Sequence, residues 1–397
     1  MSWPMVKISE FCRTGSGGTP SRGVSEFYQG DIPWIKSGDL RENIVASATE
    51  FISEEAMKKS SAKIVPQGAI LLAMYGATVG RMALLGIDAA TNQAVCNIVP
   101  DPSKAFTKYV YYALLNKVPE FLRNAVGGAQ PNISQSIIRS TEILLPPLPE
   151  QKRIAAILDK ADSIRRKRQQ AIHLADDFLR ALFLKMFGDP VTNPMGWEVR
   201  PLSSGLKSIT AGWSANGESV PCDVGEIGVL KISAVTSGVF KPGENKRVSR
   251  EDIPQGKSLV FPKRGDLLFS RANTRELVAA TCLVQSDLDN VFLPDKLWKV
   301  ETSQDQLLPE FLNYLLWHPK FKEKLTSQAT GSSGSMLNIS RGKFEEIGAI
   351  FPCIDSQRKF KSVYWRVQAI GGRVSSSRLK IGELFEVLTQ RAFSTGL

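Results

Sequence analysis

Asn132-Ile133-Ser134, then Leu144-Leu145-Pro146 and Gln151-Lys152-Arg153, return in the same order as Asn338-Ile339-Ser340, Ile350-Phe351-Pro352 and Gln357-Arg358-Lys359. A long helical pattern follows each copy. The Asn and the Gln are both displaced by 206 positions. The repeated unit is therefore a whole domain plus a helix, far longer than the roughly 20 to 50 residue unit of a solenoid. Such a repeat predicts two related modules presented to one long, pseudo-symmetric target.

The helical patterns share one frame. Residues 149–187 contain no internal proline or glycine; Pro149 and Glu150 suit a first helical turn, and Gly188-Asp189-Pro190 marks the end. Apolar residues recur at three and four spacing on Ile154, Ile157, Ala161, Ile164, Ala171, Ala175, Phe178 and Leu182, interrupted by Arg168. Adding 206 gives Phe360, Val363, Val367, Ile370, Ser377, Ile381, Leu384 and Leu388, with Val374 opposite the interruption. That is a coiled-coil seam repeated. Each helix would extend roughly 57 Å at ~1.5 Å per residue, and neither could bury its stripe alone. A two-fold relation would make the helices antiparallel, pairing Ile154 with Leu388, Ile164 with Ser377 and Arg168 with Val374. Gly371-Gly372 predicts a kink in the second helix. The run Arg165-Arg166-Lys167-Arg168 reads either as a solvated face or as a DNA or subunit contact.

Residues 1–148 and 188–355 read as mixed modules of short strands and turns, giving an α+β chain: two similar mixed α/β domains, 1–148 and 188–355, separated by helices over 149–187 and 356–397 that form an antiparallel coiled coil. The landmarks Gly30-Asp31-Ile32-Pro33-Trp34-Ile35-Lys36 and Gly225-Glu226-Ile227-Gly228-Val229-Leu230-Lys231 match, as do the strands after Pro66 and Pro262. Polar loops around these strands carry the groups that bond phosphates and base edges. In the first module they supply Thr19, Ser21, Arg22, Lys36, Ser37, Tyr75, Thr78, Arg81, Gln130 and Asn132. The second supplies Trp213, Lys231, Ser270, Arg271, Asn273, Thr274, Arg275, Ser333 and Asn338. Glycines in these loops either let a backbone approach a ligand or simply make turns, and each Asn stands where it could be only a helix cap.

Charge points the same way. The chain of 397 residues carries a net +11, divided as +2 over 1–148, +4 over 149–187, −1 over 188–355 and +6 over 356–393. The excess suggests a polyanion, yet it sits in the helices rather than in the modules. Five dispersed cysteines and two histidines argue against disulfide frameworks and metal centres. No apolar run of spanning length and no basic-then-apolar leader occurs, so a cytoplasmic location is expected. Gly76 to Arg81 lacks the length and the lysine of a phosphate-binding loop, and Asn193-Pro194-Met195-Gly196 lacks the aromatic that would hold a flipped adenine. No catalytic residue can be proposed; the chain reads as a reader.

Gly30 to Leu40, Gln130-Pro131-Asn132-Ile133-Ser134 and Leu145-Pro146-Pro147-Leu148-Pro149-Glu150-Gln151-Lys152-Arg153-Ile154 resemble the specificity subunit of type I restriction-modification enzymes. The second copy, Phe351-Pro352-Cys353-Ile354-Asp355-Ser356-Gln357, departs from the Pro-Pro-Leu-Pro-Glu-Gln form. The resemblance implies a non-catalytic chain whose two target recognition domains each read one half of a split double-stranded DNA site, with the helices as spacer. It also implies docking of two methyltransferase subunits, which use S-adenosylmethionine, and, through the complex, of motor-nuclease subunits that use ATP and Mg2+. The chain itself would hold no cofactor or metal. A stand-alone DNA-binding or architectural protein is the alternative, distinguished by a pull-down that recovers no methyltransferase. An enzyme with an unrecognised centre would instead methylate or cut DNA unaided.

Overall fold

The computed structural model describes residues 3–41, 43–124, 132–223, 225–330 and 336–394, the side chains of 371–386 and 394 excepted. It divides into two compact units, one of residues 1–170 and 375–397, the other of 171–374. The division falls inside both long helices, so each unit is closed by a piece of each.

In the first unit a five-stranded sheet runs in the order Cys12–Ser16, Val95–Pro100, Ile70–Ala73, Met82–Leu85, Asn43–Val45. A four-stranded sheet beside it in sequence has the order Glu50–Ile52, Ile32–Ile35, Ala89–Thr91, Ile64–Val65. The turn-then-apolar landmarks form strands because their residues are buried on both faces: Ile70 to Ala73 are all inaccessible. The second unit repeats the plan, with a sheet ordered Leu206–Ala211, Leu297–Thr302, Leu267–Ser270, Thr281–Leu283. Its landmark strand Ile227–Leu230 pairs parallel with Val291–Phe292 and antiparallel with Asn245–Val248. Ile32–Ile35 likewise pairs parallel with Ala89–Thr91 and antiparallel with Glu50–Ile52.

The repeated Asn-Ile-Ser owes its spacing to packing. Ile133 and Ile339 are fully buried, while Ser134 and Ser340 cap the short helices Gln135–Ser140 and Arg341–Glu346 by accepting the N–H of Ile137 and Lys343. The repeated Gln is a clamp. Gln151 accepts from the N–H of Phe106 at 2.7 Å and donates to the carbonyls of Lys104 at 3.0 Å and Pro146 at 2.7 Å. Gln357 accepts from the N–H of Leu308 at 2.9 Å and donates to Gln306 at 2.9 Å and Pro352 at 2.8 Å. Both amides are wholly buried, with the carbonyl oxygen and both N–H groups engaged. Each ties a long helix to the chain just before the globular helices Thr107–Arg123 and Pro309–Trp317.

The long helices run over Leu148–Phe187 and Ile354–Ser394, the second passing unbroken through Gly371-Gly372. Their buried stripe lies one residue beyond the expected seam. Ile154 and Phe360 are buried as expected, but the stripe continues on Leu158, Asp162, Leu179, Phe183 and Phe187, and on Tyr364, Thr389 and Ala392. Ile157, Ala161, Ala175 and Leu182 are half-buried, as are Val363, Val367 and Leu388. Ile164, Phe178 and Ile370 are 38%, 52% and 66% exposed. The expected frame thus marks the flank of the buried face. Val374, Ile381 and Leu384 lie outside the described side chains. In the first unit Ile154, Ala155, Leu158, Leu388, Ala392 and Phe393 join one core. In the second, Phe183, Phe187, Phe311, Tyr314 and Phe360 form a ring cluster with centroids 4.9 to 6.0 Å apart.

Candidate nucleic-acid interface

Backbone hydrogen bonds bring the same four loops together in each unit. In the first, Gly17 and Gly18 donate to Val95 and Thr91, Met74 donates to Ala94, and Ile133 donates to Met74, at 3.4, 2.9, 2.8 and 2.7 Å. In the second, Gly212 and Trp213 donate to Leu297 and Leu293, Arg271 donates to Lys296, and Ile339 donates to Arg271, at 3.4, 2.9, 3.1 and 2.8 Å. Residues far apart in the chain therefore meet: Tyr75 bridges to Asn132, and Ala272 pairs with Asn338.

The glycines serve the scaffold. A Cβ on Gly17 would lie 1.9 Å from the Thr91 carbonyl oxygen, and one on Gly212 would lie 1.9 Å from that of Leu293. The close approach is between two protein backbones, with no ligand involved. The loop after the central strand has the same end points but different lengths. Gly80 donates to Ala73 and Ala279 to Ser270, enclosing six residues in one unit and eight in the other. Gly80 has φ +81° and Ala279 φ +61°, so the second copy holds an L-residue in the left-handed region.

In the first unit Arg22 lies over the rings of Tyr28 at 4.3 Å and Trp34 at 5.1 Å and pairs with Glu50 at 2.9 Å. Lys36 also bonds Glu50. That bond, opposed by desolvation and reinforced by Arg22, holds the Glu50 carboxyl below its usual range. Two expected DNA contacts are thus tethered to one carboxylate. Trp34 and Tyr28 are in turn fixed to the loop, donating to the carbonyls of Gly18 at 3.0 Å and Pro20 at 2.7 Å. Thr19 donates to Gln93. Ser21 and Arg81 are exposed, and Ser37, Tyr75 and Thr78 half-buried; Asn132 is exposed at the head of its capped helix.

The second unit anchors its loop differently. Arg271 donates to the Asp295 carbonyl at 2.9 Å and to Asn338 Oδ1 at 3.1 Å, with Asp295 Oδ2 at 3.3 Å. Ser214 also bonds Asp295, and Trp213 stacks on Phe292 with centroids 6.0 Å apart. Asn273 accepts from the N–H of Thr274 at 2.8 Å, Lys231 is half-buried, and Arg275 is exposed. Ser270 is fully buried and cannot touch a ligand without the strand moving, which corrects its place among the contacts. Gln130 and Ser333 lie outside the described residues. The partners Glu50, Tyr28, Gln93 and Asp295 escaped the sequence reading, since each reaches its guanidinium, ammonium or hydroxyl from a different loop.

The basic run of the first helix is partly neutralised. Arg165 and Arg166 pair with the buried Asp162 at 2.9 and 3.0 Å, whereas Lys167 is exposed. Among the described residues no group of three potential ligands could hold a metal ion, and no helix is long and apolar enough to cross a membrane.

Residues 2–174 match the model of the type I restriction modification DNA specificity domain. The type I restriction enzyme MjaIX specificity subunit of Methanocaldococcus jannaschii is 29% identical over 67% of each chain. The EcoR124I/EcoR124II specificity subunit of Escherichia coli is 32% identical over 40% of each. The chain is thus similar to the type I restriction-modification specificity subunits, by the domain model over residues 2–174 and by these relatives beyond it. The crystal structure of the S subunit from M. genitalium, 14% identical, shares the fold with a TM-score of 0.64 over 98% of this chain and 96% of that one.

Proposed function

We propose that this chain is the non-catalytic specificity subunit of a type I restriction-modification complex and reads an asymmetric, bipartite DNA site, one half through each four-loop cluster, over the segments 1–148 and 188–355. The observation that carries the reading is the pair of equivalent clusters, identical in backbone anchoring and different in side chains and loop length. Arg22, Lys36, Tyr75, Thr78, Arg81 and Asn132 read or position one half; Trp213, Lys231, Arg271, Asn273, Thr274 and Arg275 the other. Arg81 and Arg275 have no equivalent in the opposite copy and are assigned base contact, whereas the tethered Arg22 and Arg271 position the loops.

The long helices serve as spacer and run antiparallel. The start of the first shares a core with the end of the second, and the end of the first shares a core with the start of the second. They also dock two methyltransferase subunits, which bring S-adenosylmethionine, and through the complex motor-nuclease subunits that use ATP and Mg2+. Leu174, Phe178 and Leu184, 59%, 52% and 44% exposed on the first helix, support an apolar partner face there.

Exchange of residues 188–355 for the corresponding segment of another specificity subunit tests the reading. Sequencing of methylated adenines in a host carrying the system should show one half-site changed and the other kept. A change in both halves, or in neither, rejects two independent readers.

A further inference from the structure

The Gln clamp is common to both copies, but the ion pair beside it is reversed. Two residues past the clamped N–H stands Lys108 in the first unit and Glu310 in the second. Lys108 pairs with Asp159, eight residues past Gln151, at 2.6 Å, and Tyr112 donates to the same carboxylate at 3.1 Å. Glu310, 1% exposed, instead accepts from the indole of Trp365, eight residues past Gln357, at 2.6 Å. Lys361, four past the clamp where the first copy has Ala155, adds its ammonium at 3.3 Å.

We propose that this reversed pair is a polarity code matching each recognition domain to its own long helix. A clamp that fits either helix does not discriminate between them; the charges do. Crossed docking would set Lys108 against Lys361. It would also set the buried Glu310 carboxylate against Asp159, with Ala155 in place of a donor, an uncompensated charge in a dry interface. The helix thus recognises its domain by chemistry: an acid for a lysine-bearing face, a cation and an indole N–H for a glutamate-bearing face. Domains brought in from other chains should seat well at the second position only when they carry an acid equivalent to Glu310.

Thermal melting of the full chain tests the code, independently of which DNA is read. Glu310→Lys should lower the melting temperature by about 5 °C or more, and adding Lys361→Ala with Trp365→Asp, the first copy's residues, should recover part of that loss. Trp365 also packs against the core and beneath Arg264, so the first unit supplies a cleaner pair. Asp159→Lys should cost about 2 °C, and Lys108→Glu with Asp159→Lys should restore it. If the single and double variants of the first unit melt together, or Glu310→Lys melts as the parent does, the code is wrong. An unchanged methylation motif in those variants would leave the two-reader function standing.

Discussion

At the scale of single residues, the two buried glutamines and the carboxylate of Glu50 do different work. The glutamines were visible in the sequence as a repeat, yet their task was not, because a clamp is defined by the three backbone groups it satisfies. Gln151→Ala should destabilise the chain by about 2 to 3 kcal/mol, measured by denaturant unfolding, since one N–H and two carbonyls lose their partner. The methylated sequence should stay the same. Glu50 was not legible at all: nothing in the spacing of 22, 36 and 50 announces that Arg22 and Lys36 share it. Glu50→Gln should release both cations, strengthen binding to arbitrary DNA and steepen its salt dependence by about one to two ion equivalents. Titration of a labelled duplex at several salt concentrations measures this. Discrimination at the first half-site should fall as the Arg22 loop loosens.

Among the elements, the long helices show what a periodic pattern determines and what it leaves open. Their existence, length and shared offset could be read from spacing and from flanking proline and glycine. The buried face could not, because pattern scoring favours apolar residues. The stripe actually buried includes Gln151, Asp162, Gln357 and Thr389. Adjacent Ile154 and Ala155 are both inaccessible, which lets two frames fit equally well. The difference is measurable. Phe183→Ala should cost about 3 to 5 kcal/mol, since its ring meets Phe187, Phe311, Tyr314 and Phe360. Phe178→Ala should change stability by less than about 0.5 kcal/mol and instead weaken capture of the methyltransferase subunit in a co-purification. The loop clusters were partly legible, because Asn-Ile-Ser and the turn-then-strand landmarks fix where loops begin. Their depth was not, and Ser270 illustrates it: the polar loop beyond it reaches the exposed Arg275, while Ser270 itself closes a fully buried strand.

For the whole molecule, charge and chain order carry the remaining consequences. The excess of cations lies on the helices, with part of it held by Asp162 and Glu310. Lys160 and Lys167 are exposed, and on the proposed reading they meet phosphates between the half-sites. Their replacement by glutamine should reduce the slope of log K against log salt by about 0.9 for each lysine that touches a phosphate, with equal loss on cognate and unrelated duplexes. Sequence preference would be untouched.

The first unit takes residues 375–397 as well as 1–170, whereas the second is the unbroken span 171–374. During synthesis the second unit can therefore close while the first still waits for Leu388, Ala392 and Phe393 to cover Ile154 and Leu158. The customary vectorial order, in which the earlier-made domain folds earlier, is inverted. A chain exposed only as far as residue 374 would hold the whole of the second unit and an unfinished first.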